Sequence, residues 1–230
     1  MPTGSAVMTA SLRHGPKPAA IASPSGNILL HAPRHYDFQV WLATGGKERW
    51  LREAILDRAR LVPGESLLDV GCGTGTLAIA AGRRLGPTSR VIGVDASPEM
   101  VAAAWAKARK AGQPIAFETA TAQALPFPDG QFDLVTSTLM LHHLPKPGRP
   151  AAAAEMLRVL KPGGRVMVVD FATSSEVQGG VFRRLHRHGR VRPEHIAGLL
   201  VDAGFEVAGS GALGLRDLHY LLAVKPGARA

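Results

Sequence analysis

The feature that most constrains this chain is an alternation, running from Ser66 to Phe171, of short apolar stretches with longer stretches of helical spacing. The segments "SLLDVG", "RVIGVD", "IAFETA", "FDLVTSTLM" and "RVMVVDF" carry the strand signature, and "TLAIAAGRRL", "SPEMVAAAWAKARKAG" and "GRPAAAAEMLRVLKPGG" the helical one. Near-continuous apolar strands must be covered on both faces, so this order predicts a mostly parallel sheet with helices on either side. Ser97 is placed to cap the second of these helices, with Pro98 at its first position and Glu99 in its first turn. A Pro-Gly-Gly stop is expected to close the third. The end of the chain differs. "RPEHIAGLLVDAG" reads as a helix, and "FEVAGSGALG" and "LHYLLAVKP" as strands whose short connection suits an antiparallel pair. Ahead of the alternation, residues 31–64 read as two helices broken at Gly45-Gly46, the second with Trp50, Leu51, Ile55, Leu56 and Ala59 at helical spacing. Residues 1–30 are rich in Ser, Thr, Pro, Gly and Ala and lack periodicity, which reads as a flexible tail ahead of one domain spanning 31–230.

Composition narrows the function classes. A chain of 230 residues with 46% hydrophobic and 20% charged residues suits one sizeable soluble core. No run approaches the ~18–20 apolar residues of a membrane-spanning helix. The one cysteine, Cys72, rules out an internal disulfide and a cysteine-based zinc cluster, and permits a reducing, cytoplasmic setting. The net charge of +9 points to an acidic partner such as nucleic acid, an anionic membrane surface or an acidic substrate, or simply to solubility.

The turn after the first strand, Asp69-Val70-Gly71-Cys72-Gly73-Thr74-Gly75, has the spacing G-x-G-x-G. Glycines there let a ligand approach the backbone, at the carboxyl end of a parallel sheet where such folds bind. The spacing is neither the G-x-G-x-x-G of dinucleotide binding nor a lysine-containing phosphate loop. Asp95 ends the second strand near the ~20-residue offset at which a carboxylate accepts ribose hydroxyls. Asp69 adds an acidic group suited to a ligand ammonium. Ribose and an amino acid without a phosphate site describe S-adenosylmethionine.

The segments "LLDVGCGTG", "VIGVDASPEM", "ALPFPDGQFDLVTSTLMLHHL" and "EMLRVLKPGGRVMVVDF" resemble successive motifs of the class I S-adenosylmethionine-dependent methyltransferases. The likeness is strongest to the group that includes ubiquinone/menaquinone C-methyltransferases and phospholipid N-methyltransferases. The resemblance covers about Tyr36 to Val224. It implies a Rossmann-like seven-stranded sheet with an antiparallel last strand, an N-terminal helical cap, and S-adenosylhomocysteine as product. It implies that Asp69, Gly71, Cys72, Gly73 and Gly75 line the methionine part of the cofactor. Asp95 would take the ribose, with Ala96 and Met100 near the adenosine and Thr121 and Ala122 beside the adenine. Thr121 stands where the family usually has an aspartate. Tyr36 and Asp37 resemble an N-terminal "YD" that closes over the cofactor. The competing reading of this segment is hydrophobic packing by the aromatics at 36, 38 and 41.

The acceptor should face the end of the fourth strand. His142 and His143 follow it, and His143 ahead of His142 is the candidate base. The bland alternative is that the pair shapes a turn. Arg183, Arg184, Arg187, Arg190 and Arg192 follow the fifth strand. They suit anionic headgroups or an acidic substrate, or else a solvated face. His186 and His188 lack a third metal ligand, so no metal site is expected. The chain lacks the Asn/Asp-Pro-Pro-aromatic motif of base-modifying enzymes, with Thr136-Ser137-Thr138-Leu139 in its place. Together with 5% aromatics this argues against nucleic acid. Three readings remain: methylation of a small or lipophilic acceptor, methylation of a phospholipid or quinone at a membrane surface, and a non-catalytic cofactor-binding regulator. Oligomeric state stays open.

Overall fold

In a computed structural model of the chain, the described residues are Pro33, Asp37, 40–42, 44–172, 192–215 and 217–227. The tail, Tyr36, and the arginine and histidine positions from 183 to 190 lie outside them. The element order is α1 (Glu48–Arg58), β1 (Leu67–Val70), α2 (Thr76–Leu85), β2 (Val91–Asp95), α3 (Pro98–Lys110), β3 (Ala116–Thr119), β4 (Phe132–Thr138), α4 (Arg149–Val159), β5 (Leu160–Phe171), α5 (Pro193–Asp202), β6 (Glu206–Ala212) and β7 (Leu218–Val224). Two short 3-10 turns, Leu141–His143 and Lys146–Gly148, join β4 to α4.

The strands form one sheet in the order β3-β2-β1-β4-β5-β7-β6. Strands β1 to β5 pair in parallel, and β7 runs antiparallel between β5 and β6. Successive strand residues face opposite sides, so Leu67 and Leu134 enter one core layer while Leu68 and Val135 enter the other. The first layer is closed by α1, α2 and α3 through residues such as Leu56, Ala78 and Ala104. The second is closed by α4 and α5 through Met156 and Leu200. The order reverses between β1 and β4, which leaves a crevice over their carboxyl ends. The expected cap forms, with the Ser97 hydroxyl accepting from the Met100 N–H at 3.3 Å.

Two expectations need correction. Helix α4 ends at Val159, and the Pro-Gly-Gly segment belongs to β5 rather than to a helix terminus. Leu160 pairs with Phe132, the Gly163 N–H donates to the Lys225 carbonyl at 2.9 Å, and the Lys225 N–H returns to the Gly164 carbonyl at 2.8 Å. Sheet hydrogen bonds thus recruit the segment, and a register shift between Phe132 and Leu134 absorbs its irregularity. In α1, Leu51, Ile55, Leu56 and the following Ala59 are buried, but Trp50 points outward, 48% exposed. Trp41 is likewise 52% exposed.

Arg165 on β5 locks the end of α1 to the sheet. It donates to the carbonyls of Ala59 and Arg60 and forms two hydrogen bonds of 2.7 and 2.8 Å with Glu65. Helix α1 therefore ends at the amino end of the sheet, and its first turn, with Trp50, lies toward the carboxyl end. There Trp50 comes within 3.8 Å of the position a Cβ on Gly214 would take, in the β6–β7 connection.

Candidate active site

The glycine loop folds back over β2 because the N–H groups of Gly71 and Cys72 both donate to the Val94 carbonyl, at 2.8 and 2.9 Å. Gly71, Gly73 and Gly75 have φ of +75°, +53° and +77°, a region that L side chains rarely occupy. Their roles differ. A Cβ on Gly71 would collide with the Met140 side chain. One on Gly75 would lie 2.8 Å from the Phe117 ring and 2.9 Å from the Ala104 Cβ. Both are therefore required by packing, and Gly71 ties the first loop to the loop after β4. Gly73 turns its N–H to the Asp95 Oδ2 at 2.9 Å. Burial pushes the Cys72 thiol well up, helped by Asp69 and Asp95, so it is no thiolate nucleophile.

Two carboxylates lie beneath this loop. Asp69 on β1 is 2% exposed and accepts from the Thr136 hydroxyl on β4 at 2.7 Å. Burial pushes its carboxyl up to about 7. The Thr136 hydroxyl and the Ala78 backbone oppose the shift, and the charge of Asp95 adds to it. Asp95 accepts from the Ser97 N–H at Oδ1 and the Gly73 N–H at Oδ2, both at 2.9 Å. Burial raises its carboxyl as well, against the backbone N–H groups of Ser97, Gly73 and Ala96. A carboxylate offers about four acceptor positions, so Asp95 keeps capacity for ligand hydroxyls. A buried carboxyl whose ionisation is opposed by its surroundings fits a cationic ligand group, because the cation compensates the charge.

Of the other predicted residues, Ala96 is half-buried beside Asp95, and Met100 is 2% exposed, its side chain inside the fold. Thr121 is half-buried and forms an isolated bridge with Ala124, and Ala122 is buried. Asp37 accepts from the Thr74 hydroxyl at 2.7 Å and from Lys107 at 2.6 Å, and Lys107 also donates to Thr74 at 2.8 Å. The N-terminal segment is thereby tied at Asp37 to the glycine loop and to α3.

Beyond β4 the backbone is held in an uncommon state, with Leu139 at φ +55°. His142 follows, buried, and Asp170 at the end of β5 grips it twice. The His142 N–H donates to Asp170 Oδ2 at 3.1 Å, and His142 Nδ1 lies 2.7 Å from Oδ1. Asp170 is itself 2% exposed and also accepts from the Phe171 N–H at 2.8 Å. A carboxylate only accepts, so an Asp170 oxygen 2.7 Å from Nδ1 favours the Nδ1–H tautomer, which leaves Nε2 as the lone-pair nitrogen. The half-buried His143 ring lies 4.0 Å from that of His142, centroid to centroid. His142, the second of the two candidate bases, thus has its imidazole oriented by Asp170. Arg192 precedes α5 and is exposed. Among the described residues no cluster of histidine, cysteine, aspartate and glutamate can hold a metal.

Asp170 and Thr136 were not among the residues predicted for the site. The signal for Asp170 was a single acid closing an otherwise apolar strand, the same signal that marked Asp69 and Asp95. Thr136 gave none, because its partner depends on strand order.

A parallel sheet with a glycine turn, a buried acid on β1 and a half-buried one at the carboxyl end of β2 defines a nucleoside-binding α/β fold of the Rossmann-like class. Residues 67–164 match the family described as Methyltransferase domain. Demethylmenaquinone methyltransferase of Thermus thermophilus is 37% identical over 155 residues, covering 67% of this chain and 69% of that protein. The ubiquinone/menaquinone biosynthesis C-methyltransferase UbiE of Geobacter sulfurreducens is 37% identical over 159 residues, covering 67% of this chain and 59% of that protein. The chain therefore spans less than two thirds of the length of some of these relatives. A crystal structure of a SAM-dependent methyltransferase from Aquifex aeolicus superposes with a TM-score of 0.70 at 22% identity, covering 84% of this chain and 98% of that one. The chain belongs to the S-adenosylmethionine-dependent methyltransferase family.

Proposed function

We propose that the protein transfers a methyl group from S-adenosylmethionine to a small lipophilic acceptor with a proton to lose, a quinol-like ring being the first candidate. The observation that carries this reading is the buried His142–Asp170 pair on the carboxyl side of β4 and β5, next along the sheet from the glycine loop and its two acids. The two relatives are named for quinone methylation, which supports a lipophilic acceptor.

When bound, the cofactor supplies an electrophilic methyl on a sulfonium. The residues of this chain bind, align and move protons. Asp69 takes the ammonium group, Asp95 the ribose hydroxyls, and the backbone of Gly71 to Gly75 the amino-acid part. Ala96, Thr121 and Ala122 border the adenosine, with Met100 behind them. His142 accepts the acceptor's proton at Nε2 while Asp170 fixes the ring and balances the imidazolium. His143 packs against that ring.

The test is incubation with methyl-labelled S-adenosylmethionine and a prenylated naphthoquinol. Label should enter the organic phase in step with S-adenosylhomocysteine, and His142→Asn should cut kcat by on the order of 10²–10⁴ while cofactor affinity holds. Equal turnover by the variant would remove His142 from the chemistry. Binding without label transfer to any lipophilic acceptor would leave a cofactor-binding regulator.

A further inference from the structure

All three tryptophans are about half exposed: Trp41 52%, Trp50 48% and Trp105 47%. Tryptophan is on average a strongly buried residue, so this is an uncommon arrangement. Trp105 has a local account, since its indole N–H donates to the Phe117 carbonyl at 2.9 Å and its ring meets the Phe117 ring edge-on. The other two sit on the N-terminal helix–turn–helix. Between residues 41 and 50, Trp41, Leu42, Lys47, Arg49 and Trp50 are all exposed, and the one acid there, Glu48, is paired with Arg52 at 2.8 Å. The turn at 44–46 folds back on Trp41: the Gly46 N–H donates to the Trp41 carbonyl, and a Cβ on Gly46 would lie 3.4 Å from the Trp41 Nε1.

We infer that this patch docks the protein on an anionic lipid bilayer. Exposed tryptophan and leucine among lysine and arginine form the mixture that partitions into a headgroup layer: the indole rings lie at the interface and the cations meet the anionic headgroups. The net charge of +9 adds long-range attraction of the same sign. Position supplies the third argument. Trp50 stands beside Gly214 in the β6–β7 connection. That connection leads into Leu218, paired with Phe171 directly after Asp170. The patch is therefore on the rim of the carboxyl end of the sheet, where the acceptor site opens, so a lipophilic acceptor could pass from bilayer to site without crossing water. The inference rests on the proposed lipophilic acceptor only for its purpose, and its test does not depend on methyl transfer.

The test is co-sedimentation of the full chain with vesicles of phosphatidylcholine alone and of phosphatidylcholine with phosphatidylglycerol, at low and high salt. Tryptophan emission is followed in parallel. Wild-type protein should bind the anionic vesicles, shift its emission to the blue and release as salt rises. Trp41→Ser with Trp50→Ser should lose roughly tenfold or more in vesicle affinity and the blue shift, with Trp105 left as an unshifted reporter. Lys47→Gln with Arg49→Gln should weaken binding and flatten its salt dependence. Both double variants should titrate S-adenosylhomocysteine as wild type does, which shows that they are folded. No binding to anionic vesicles overturns the inference. So does unchanged binding by the tryptophan variant, which would move the contact elsewhere. Self-association lost in the tryptophan variant, without vesicle binding by wild type, would overturn it in favour of a second copy as the occupant. Vesicle binding without turnover would leave this surface standing and remove only the methyltransferase reading.

Discussion

Replacing Asp69 by Asn should make the ligand-free protein more stable at neutral pH and its cofactor binding weaker. Asp69 is 2% exposed, and its carboxyl is pushed from 3.8 up to about 7, chiefly by burial. A carboxyl with a raised folded pKa holds its proton in the native state over a range where the unfolded chain has released it. Its ionisation therefore costs stability progressively between about pH 4 and pH 7, and the loss is complete above pH 7. Each pKa unit corresponds to about 1.4 kcal/mol, so the loss approaches about 4 kcal/mol as an upper limit. Asn keeps an oxygen to accept from the Thr136 hydroxyl, which donates at 2.7 Å in the wild type, and has no proton to lose. Denaturant unfolding at pH 5 and pH 8 should show the variant's advantage growing with pH, toward a few kcal/mol. Calorimetric titration should show cofactor affinity falling by about 1.5–3 kcal/mol, the value of a hydrogen bond to a charged group. Wild-type binding at pH 7 should release protons, seen as a dependence of the heat on buffer ionisation enthalpy, and the variant should release none. Parallel stability curves for the two proteins from pH 5 to pH 8 would refute the reasoning.

Asp95→Ala should cost about 1–3 kcal/mol of cofactor affinity and should also loosen the loop, because the Gly73 N–H loses its acceptor; amide exchange at Gly73 faster than wild type checks the second effect. Gly71→Ala forces a side chain at φ +75° into Met140, so binding and turnover should both fall, and unchanged kinetics would mean that the two loops move independently. Asp170→Asn should lower kcat with little change in cofactor Kd and alter the His142 tautomer seen in imidazole ¹⁵N shifts, because an amide cannot accept from all three present donors. Thr121→Asp should raise affinity by about 1 kcal/mol for S-adenosylmethionine and less for an analogue without the adenine amino group, and equal gains would separate Thr121 from the adenine edge.

The sheet was legible because burial on both faces leaves a strong local mark. "LLDV" and "VIGVD" have no place to be except inside, and every residue of the β1 segment is buried. The glycine turn and its acids were legible for a related reason, since a charged group closing an apolar strand has few structural excuses. What could not be read was whatever depends on which strands become neighbours. Asp170 and His142 stand 28 residues apart, and only the parallel pairing of β4 with β5 brings them together. The same holds for Thr136 and Asp69, separated by 67 residues. Helical spacing placed Leu51, Ile55 and Leu56 inward correctly, but it cannot decide which way a residue at the edge of the stripe turns. Trp50 went outward. The Pro-Gly-Gly segment reads as a stop and does follow one, yet the backbone of Lys225, just past β7, claims it for the sheet.

The most direct measurement is a crystal structure of the complex with S-adenosylhomocysteine. The ammonium group should lie against Asp69, both ribose hydroxyls on the Asp95 carboxylate, and the sulfur should face the His142 Nε2 across the mouth of the acceptor site. A ligand seated away from Asp69 and Asp95, or a His142 ring turned from the sulfur with Asp170 bonded elsewhere, would contradict this binding mode.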